Sequence, residues 1–282
     1  MDEKIGILER IRAAYYQLTA TERKVADYVM ANWQQIQFMS ITQLADECSV
    51  ADATISRFCK SLQLKGFNAF KIELARQSAS GHTAASEELN GDTLESRVQM
   101  VGRLSQEAVS QTISLVVPGD VDRAVTILEQ ATQVVCVGAG GSMILAQECA
   151  HLFLSAGGKF RAVSDSHQQL SAVATMPTNG AVILFSYSGS TSIGLEVLEL
   201  AKSRGIPVIL VTRFRKSPAA KLADVVLRCG SNEGPFQAGS VAAKVAQLVV
   251  MDVLYQEYYH RNEQQCEESM ERVASALSIK HI

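Results

Sequence analysis

In the N-terminal part of the chain apolar positions recur at helical spacing, and in the second half they gather into short continuous runs. Thr19-Ala20-Thr21-Glu22 has the form of a capping box, a hydroxyl residue followed by Glu at the third place on, ahead of Val25, Tyr28, Val29 and Trp33. Ser40-Ile41-Thr42-Gln43 repeats that form and starts a shorter helix, with Ile41, Leu44 and Ala45 on one face, that fails by Ser49. A third helix is predicted from about Asp52, carrying Ile55, Phe58 and Leu62 inward. Only Cys48 to Ala51 separate the last two, so they are expected to cross steeply as a helix-turn-helix. Small Ala45 suits their close approach and apolar Val50 suits the turn. Ala51 cannot cap the third helix, whereas Asp52 can do so one position later.

The runs Val134–Val137, Phe160–Val163, Ala181–Phe185, Ile206–Val211 and, more weakly, Asp224–Arg228 read as strands. Each is followed by a helix-period stretch, the longest from about Ser240 to Tyr259. Such alternation predicts a doubly wound, five-stranded parallel sheet with helices on both faces. Ligands of such sheets bind outside the carboxyl ends of the strands. Between the two patterns Gln77 to Ser86 is small, polar and aperiodic, as in a linker. The expected architecture is therefore two-domain, all-α followed by α/β: residues 1–77, a linker at 78–92, and 93–282 with its core at about 134–260.

Composition narrows the class. A hydrophobic fraction of 47% with 20% charged residues over 282 residues is that of an ordinary globular protein. The start Met1-Asp2-Glu3-Lys4 lacks a signal peptide's pattern, and no apolar run approaches the roughly 18 residues of a membrane span, so a cytoplasmic protein without membrane partners is expected. Six cysteines lie scattered in apolar runs without metal-ligand spacing, so neither a metal site nor a disulfide framework is indicated. The net charge of −3 is not that of a globally basic protein. Locally, however, Arg57, Lys60, Lys65, Lys71 and Arg76 face the single acid Glu73 between residues 57 and 76. On the third helix Ala53, Thr54, Ser56, Arg57 and Lys60 are expected to point outward, short or cationic side chains that suit a major groove and its phosphates.

In the second half, Ser186-Tyr187-Ser188-Gly189-Ser190-Thr191 follows a buried strand and precedes a helix. Backbone N–H groups and the helix dipole at such a junction suit a phosphate, hydroxyls donate to it, and glycine lets the backbone approach. Taken alone the segment is equally a Ser-rich surface turn. Its place after a parallel strand, with Ser142 ending another, favours the phosphate cradle. Gly138-Ala139-Gly140-Gly141-Ser142 has the first glycines of a dinucleotide fingerprint, but Met143 stands where the third belongs, and a P-loop is absent. No cofactor is expected.

Residues 134–260 resemble the SIS (sugar isomerase) domain, whose phosphate loop reads Ser-x-Ser-Gly-x-Thr, and residues 1–77 resemble the N-terminal domain of RpiR-type transcriptional regulators. The latter's hallmarks stand here as Ala53-Thr54-Ile55-Ser56-Arg57-Phe58-Cys59-Lys60 and Lys65-Gly66-Phe67. The resemblance implies that Ser142, Ser186, Ser188 and Thr191, with backbone near Gly141 and Gly189, bind the phosphate of a sugar phosphate. It implies sugar contacts from His167 and Glu233, each equally a locally satisfied or solvated residue, and packing of Tyr187 against the sugar. Ser190 stands where many members have Glu.

The function so implied is a DNA-binding regulator, without catalytic residues, that reads a phosphorylated sugar and acts on operator DNA as a homodimer or homotetramer. The alternatives are an aldose–ketose sugar-phosphate isomerase, with His167 or Glu233 as base, and a protein-binding module using the helical N-terminus.

Overall fold

The computed structural model describes residues 6–81, 93–231 and 240–278. It divides into two compact units, the first reaching Leu104 and the second comprising Ser105–Ser231 and Val241–Ile282.

The first unit opens with α1 (Ile7–Ala14), α2 (Ala20–Ile36), α3 (Ile41–Glu47), α4 (Asp52–Ser61) and α5 (Phe67–Gly81). Both expected capping boxes are formed: Glu22 N–H donates to Thr19 Oγ1 and Thr19 N–H to Glu22 Oε2, and Ser40 pairs with Gln43 in the same way. Ile11, Val25, Val29, Leu44, Ile55, Phe58 and Phe70 are fully buried in one core, where Phe58 meets Phe70 edge-on with ring centroids 5.7 Å apart. α5 corrects the expected linker boundary. Gln77 to Gly81 is helical, because Ala and Ser continue a helix tolerably and nothing halts it before Gly81. Leu8 N–H donates to Gln77 Oε1 at 3.2 Å, tying that last stretch to α1.

Next come α6 (Leu94–Leu115), α7 (Pro118–Gln130), β1 (Val134–Gly138), α8 (Gly141–Leu154), β2 (Phe160–Ala162), α9 (Ser166–Thr175), β3 (Ala181–Phe185), α10 (Ser192–Ser203), β4 (Val208–Thr212), β5 (Val225–Arg228), α11 (Val241–Arg261) and α12 (Glu263–Ser278). The five strands are all parallel in the order β2-β1-β3-β4-β5. Every residue of β1, β3 and β4 is buried, as a sheet covered on both faces requires. One apolar core joins one face of the sheet to α7, α8 and α11, and a second joins the other face to α9 and α10. One connection differs from expectation. β4 leads to β5 through a single 3₁₀ turn, Ala219–Lys221, rather than a full helix, whereas the long helix ends at Arg261, close to the expected Tyr259, and a further helix follows it. No described helix is long and apolar enough to cross a membrane.

Candidate functional site

The strand order reverses between β1 and β3, and their register sets Gly138 opposite Phe185, so the loops that follow leave the same end of the sheet side by side. This is the topological switch point at which open parallel sheets bind ligands. Gly138 is required there, since a Cβ on it would stand 2.7 Å from Ser142 O and push α8 off the strand. Gly140 turns the chain into α8 with a φ of 53°.

The second loop is equally constrained. Gly189 has a φ of 60°, its N–H donates to Ser186 O at 3.1 Å, and its carbonyl accepts from Ala219 N–H at 2.9 Å. Ser186 is buried and its Oγ lies 3.4 Å from Thr191 Oγ1. Ser188 is half-buried, and Ser190 N–H donates to its Oγ at 3.3 Å. Thr191 stands at the N-cap of α10 yet makes no side-chain cap bond, and neither does Gly140 at the N-cap of α8. Two helix starts without side-chain caps thus follow adjacent strand ends, with Ser142 in the first turn of α8 and Ser186, Ser188 and Thr191 in the loop before α10, and their positive dipole ends favour an anion there. Hydroxyl groups gathered at two helix starts are a donor set that suits a tetrahedral anion.

Some bracing residues are invisible to sequence reasoning. Buried Gln169 donates from Nε2 to Gly138 O and to Val163 O, both at 2.9 Å, and so pins α9 to the end of β1. Thr212 Oγ1 donates to Tyr187 O at 3.0 Å, and buried Ser217 accepts from Ala220 N–H at 3.2 Å against Gly189. Tyr187 donates from its hydroxyl to Ser231 O at 2.9 Å and packs edge-on to Phe214. His167 is exposed in the first turn of α9, at the same sheet end, and Asp165 caps that helix through Gln168 N–H at 2.9 Å. Glu233 lies outside the described residues.

In the first unit α3 and α4 form the helix-turn-helix. Buried Ala45 gives its carbonyl to Val50 N–H at 2.9 Å, and Ser49 takes a φ of 52° in the turn. Ala51 is the N-cap of α4 without a side-chain bond, and Asp52, the first helical residue, instead accepts from Thr42 Oγ1 at 2.8 Å. Ala53, Arg57, Lys60 and, beyond the helix, Lys65 are exposed, and Ser56 is half-buried. Thr54 corrects the outward set. It is 4% exposed, because α4 buries the paired positions 54–55 and 58–59, and its Oγ1 accepts from Arg57 Nη2 at 3.1 Å. Glu22 is buried between α2 and α4, accepting from Ser61 Oγ at 3.0 Å. Burial raises its pKa, but the Thr19 and Ser61 hydrogen bonds and the Arg57 charge outweigh this and hold the carboxyl below its ordinary value.

A helix-turn-helix with an exposed cationic face, carried in one chain with an anion cradle at a sheet's switch point, is the build of a ligand-responsive transcriptional regulator. Residues 5–81 match the helix-turn-helix domain of the rpiR family, and residues 127–256 match the SIS domain. The chain is 30% identical over 250 residues to the transcriptional regulator HexR of Pseudomonas aeruginosa, covering 88% of this chain and 87% of that one. It is 28% identical to an uncharacterized HTH-type transcriptional regulator of Caldanaerobacter subterraneus, covering 98% of each. Vibrio vulnificus NanR, solved in complex with ManNAc-6P, is similar throughout, with a TM-score of 0.88, 25% identity, and coverage of 98% of this chain and 99% of that one. The chain belongs to the rpiR family of HTH-type transcriptional regulators with an SIS domain.

Proposed function

We propose that the chain binds operator DNA through α4 and changes that binding when a sugar phosphate enters the cradle of its SIS domain. One observation carries the second half of this reading: two uncapped helix N-termini share a switch point with Ser142, Ser186, Ser188 and Thr191. Backbone near Gly141 and Gly189 approaches the phosphate without side-chain obstruction, and His167 and Glu233 contact the sugar. NanR was solved with a phosphorylated sugar, which supports that effector class here.

For DNA, Arg57, Lys60 and Lys65 meet phosphates, while Ala53 and Ser56 face base edges. Buried Thr54 acts indirectly by holding the Arg57 guanidinium. Pseudo-palindromic sites call for a homodimer or homotetramer. Exposed Met270, Val273 and Leu277, at helical spacing on α12, support self-association. The chain works on DNA in the cytoplasm and catalyses no reaction. Regulation requires that the sugar phosphate bind the DNA-competent and DNA-incompetent states with different affinities.

The test is a thermal-shift panel of phosphorylated sugars on purified protein, followed by operator binding with each hit and an isomerase assay. A hit present at about 100 times its Kd adds about 2.7 kcal/mol of stability. The expected result is a hit that alters operator affinity without turnover. Turnover of a sugar phosphate would replace this reading with that of an isomerase.

A further inference from the structure

The loop that leaves β5 is fastened to α6. Thr112 is fully buried, and its Oγ1 accepts from Gly230 N–H at 2.9 Å while donating to Ala108 O at 2.6 Å. One residue on, Ser231 N–H donates to Gln111 Oε1 at 3.0 Å. Gly230 permits this approach, since a Cβ there would stand 2.6 Å from both Gln111 Cβ and Thr112 N. The partners are 118 and 120 residues apart in the chain, so the attachment exists only once the sheet is built.

Ser231 is tied to the phosphate loop as well. Its carbonyl accepts from the Tyr187 hydroxyl at 2.9 Å, so α6 holds its N–H and the residue between Ser186 and Ser188 holds its oxygen. Ser231 is 7% exposed and takes a φ of 78°, a left-handed backbone unfavourable for serine. That cost is of the same order as the net contribution of two hydrogen bonds, so the held and the relaxed arrangements of Ser231 are close in free energy. Tyr187 is placed to tip this balance. Its own carbonyl accepts from Thr212 Oγ1 at 3.0 Å and from Arg213 N–H at 3.1 Å, which fixes its main chain. A ligand pressing on Tyr187 therefore moves its ring and hydroxyl rather than its backbone.

Both units share α6, which counts with the first unit as far as Leu104 and with the second from Ser105. Leu94 lies about 27 Å along the helix from Thr112, so a tilt of about 5° at the anchored end moves the other by about 2 Å. A small change at Ser231 is thus enlarged along a rigid element.

We infer that Ser231 is a regulatory joint: occupancy of the Ser186–Thr191 loop passes through the Tyr187 hydroxyl to Ser231, and from there through Gln111 and Thr112 to α6, which carries it toward the first unit. This rests on the cradle reading above, because the joint responds to a ligand held by that loop.

The test follows amide hydrogen exchange along α6 in the full chain, with glucose 6-phosphate or inorganic phosphate as the probe and its affinity measured by calorimetry. In wild type a bound probe is expected to change exchange in residues 94–104 by about threefold or more. Gln111→Ala deletes the bond to Ser231 and is expected to keep probe affinity within about twofold while losing the exchange response. Gln111→Met does the same with the side chain's length retained, which serves where the alanine variant folds poorly. Gln111→Glu keeps an acceptor for Ser231 N–H and is expected to keep the response, which separates loss of the bond from loss of packing. A bound probe that leaves exchange at 94–104 unchanged in wild type would overturn the joint while leaving the cradle in place, as would a response that survives both Gln111→Ala and Gln111→Met. A probe affinity indifferent to Ser188→Ala would overturn the cradle reading. Failure of both probes to bind at millimolar concentration would overturn cradle and joint together.

Discussion

A Cβ placed on Gly189 would stand 2.2 Å from Ser217 Oγ, so the phosphate loop and the loop after β4 fit only because position 189 carries no side chain. The φ of 60° at the same residue adds a backbone requirement to the steric one. Gly189→Ala is expected to cost about 1–3 kcal/mol in urea unfolding and to abolish the effector response. Adding Ser217→Gly recovers part of the stability by removing the contact, but the positive φ keeps the rest lost. Full recovery would show that the contact alone matters.

Glu22 makes stability pH-dependent. Its folded pKa lies below that of a free carboxylate near 4.3, so the unfolded chain takes up a proton first as pH falls. The stabilisation is present above that range and is lost as pH drops through the folded value. Glu22→Gln keeps both capping-box partners but removes the charge. It is expected to lower stability by about 1 kcal/mol at neutral pH and to flatten the acid limb of the stability–pH curve. Unchanged acid sensitivity would assign that limb to other carboxylates.

Arg57→Ala and Lys60→Ala are each expected to weaken operator binding and to reduce the slope of log K against log salt by about 0.9. Fluorescence anisotropy over a salt series gives both quantities. Thr54→Val should reproduce the affinity loss of Arg57→Ala only in part, since it frees the guanidinium without deleting it.

All six cysteines are buried. Burial pushes the Cys48 thiol up to about 11 and the Cys59 thiol up to about 12, while a hydrogen bond with Cys136, then burial, raises Cys149. At pH 8 a thiol of pKa near 11 is about one part in a thousand thiolate. Titration with a disulfide reagent should therefore show slow reaction in the native state and rapid reaction of all six cysteines only in denaturant. A fast native phase would identify a thiol outside this account.

Much of this was readable from local pattern. Both capping boxes stand at the helix starts they mark, because a cap is a three-residue interaction. The strands announced themselves as runs that only a covered sheet buries, and the Ser186–Thr191 loop follows from where β3 ends. What escaped depends on partners far apart in the chain. Thr54 turned inward because α4 packs two adjacent positions per turn against α2 and α5 rather than a single stripe. Gln169 braces Gly138 from 31 residues away, and nothing in its neighbourhood marks it. The linker composition of Gln77 to Gly81 misled because small polar residues do not by themselves stop a helix that already has a core to rest on.

The most direct test of the central claim, that the Ser186–Thr191 loop holds the effector's phosphate, is operator binding titrated with the effector in wild type and in Ser188→Ala. Equal operator affinity is expected without effector, with the variant's response displaced to at least about tenfold higher effector concentration. A Ser188→Ala protein that responds at the wild-type concentration would contradict it.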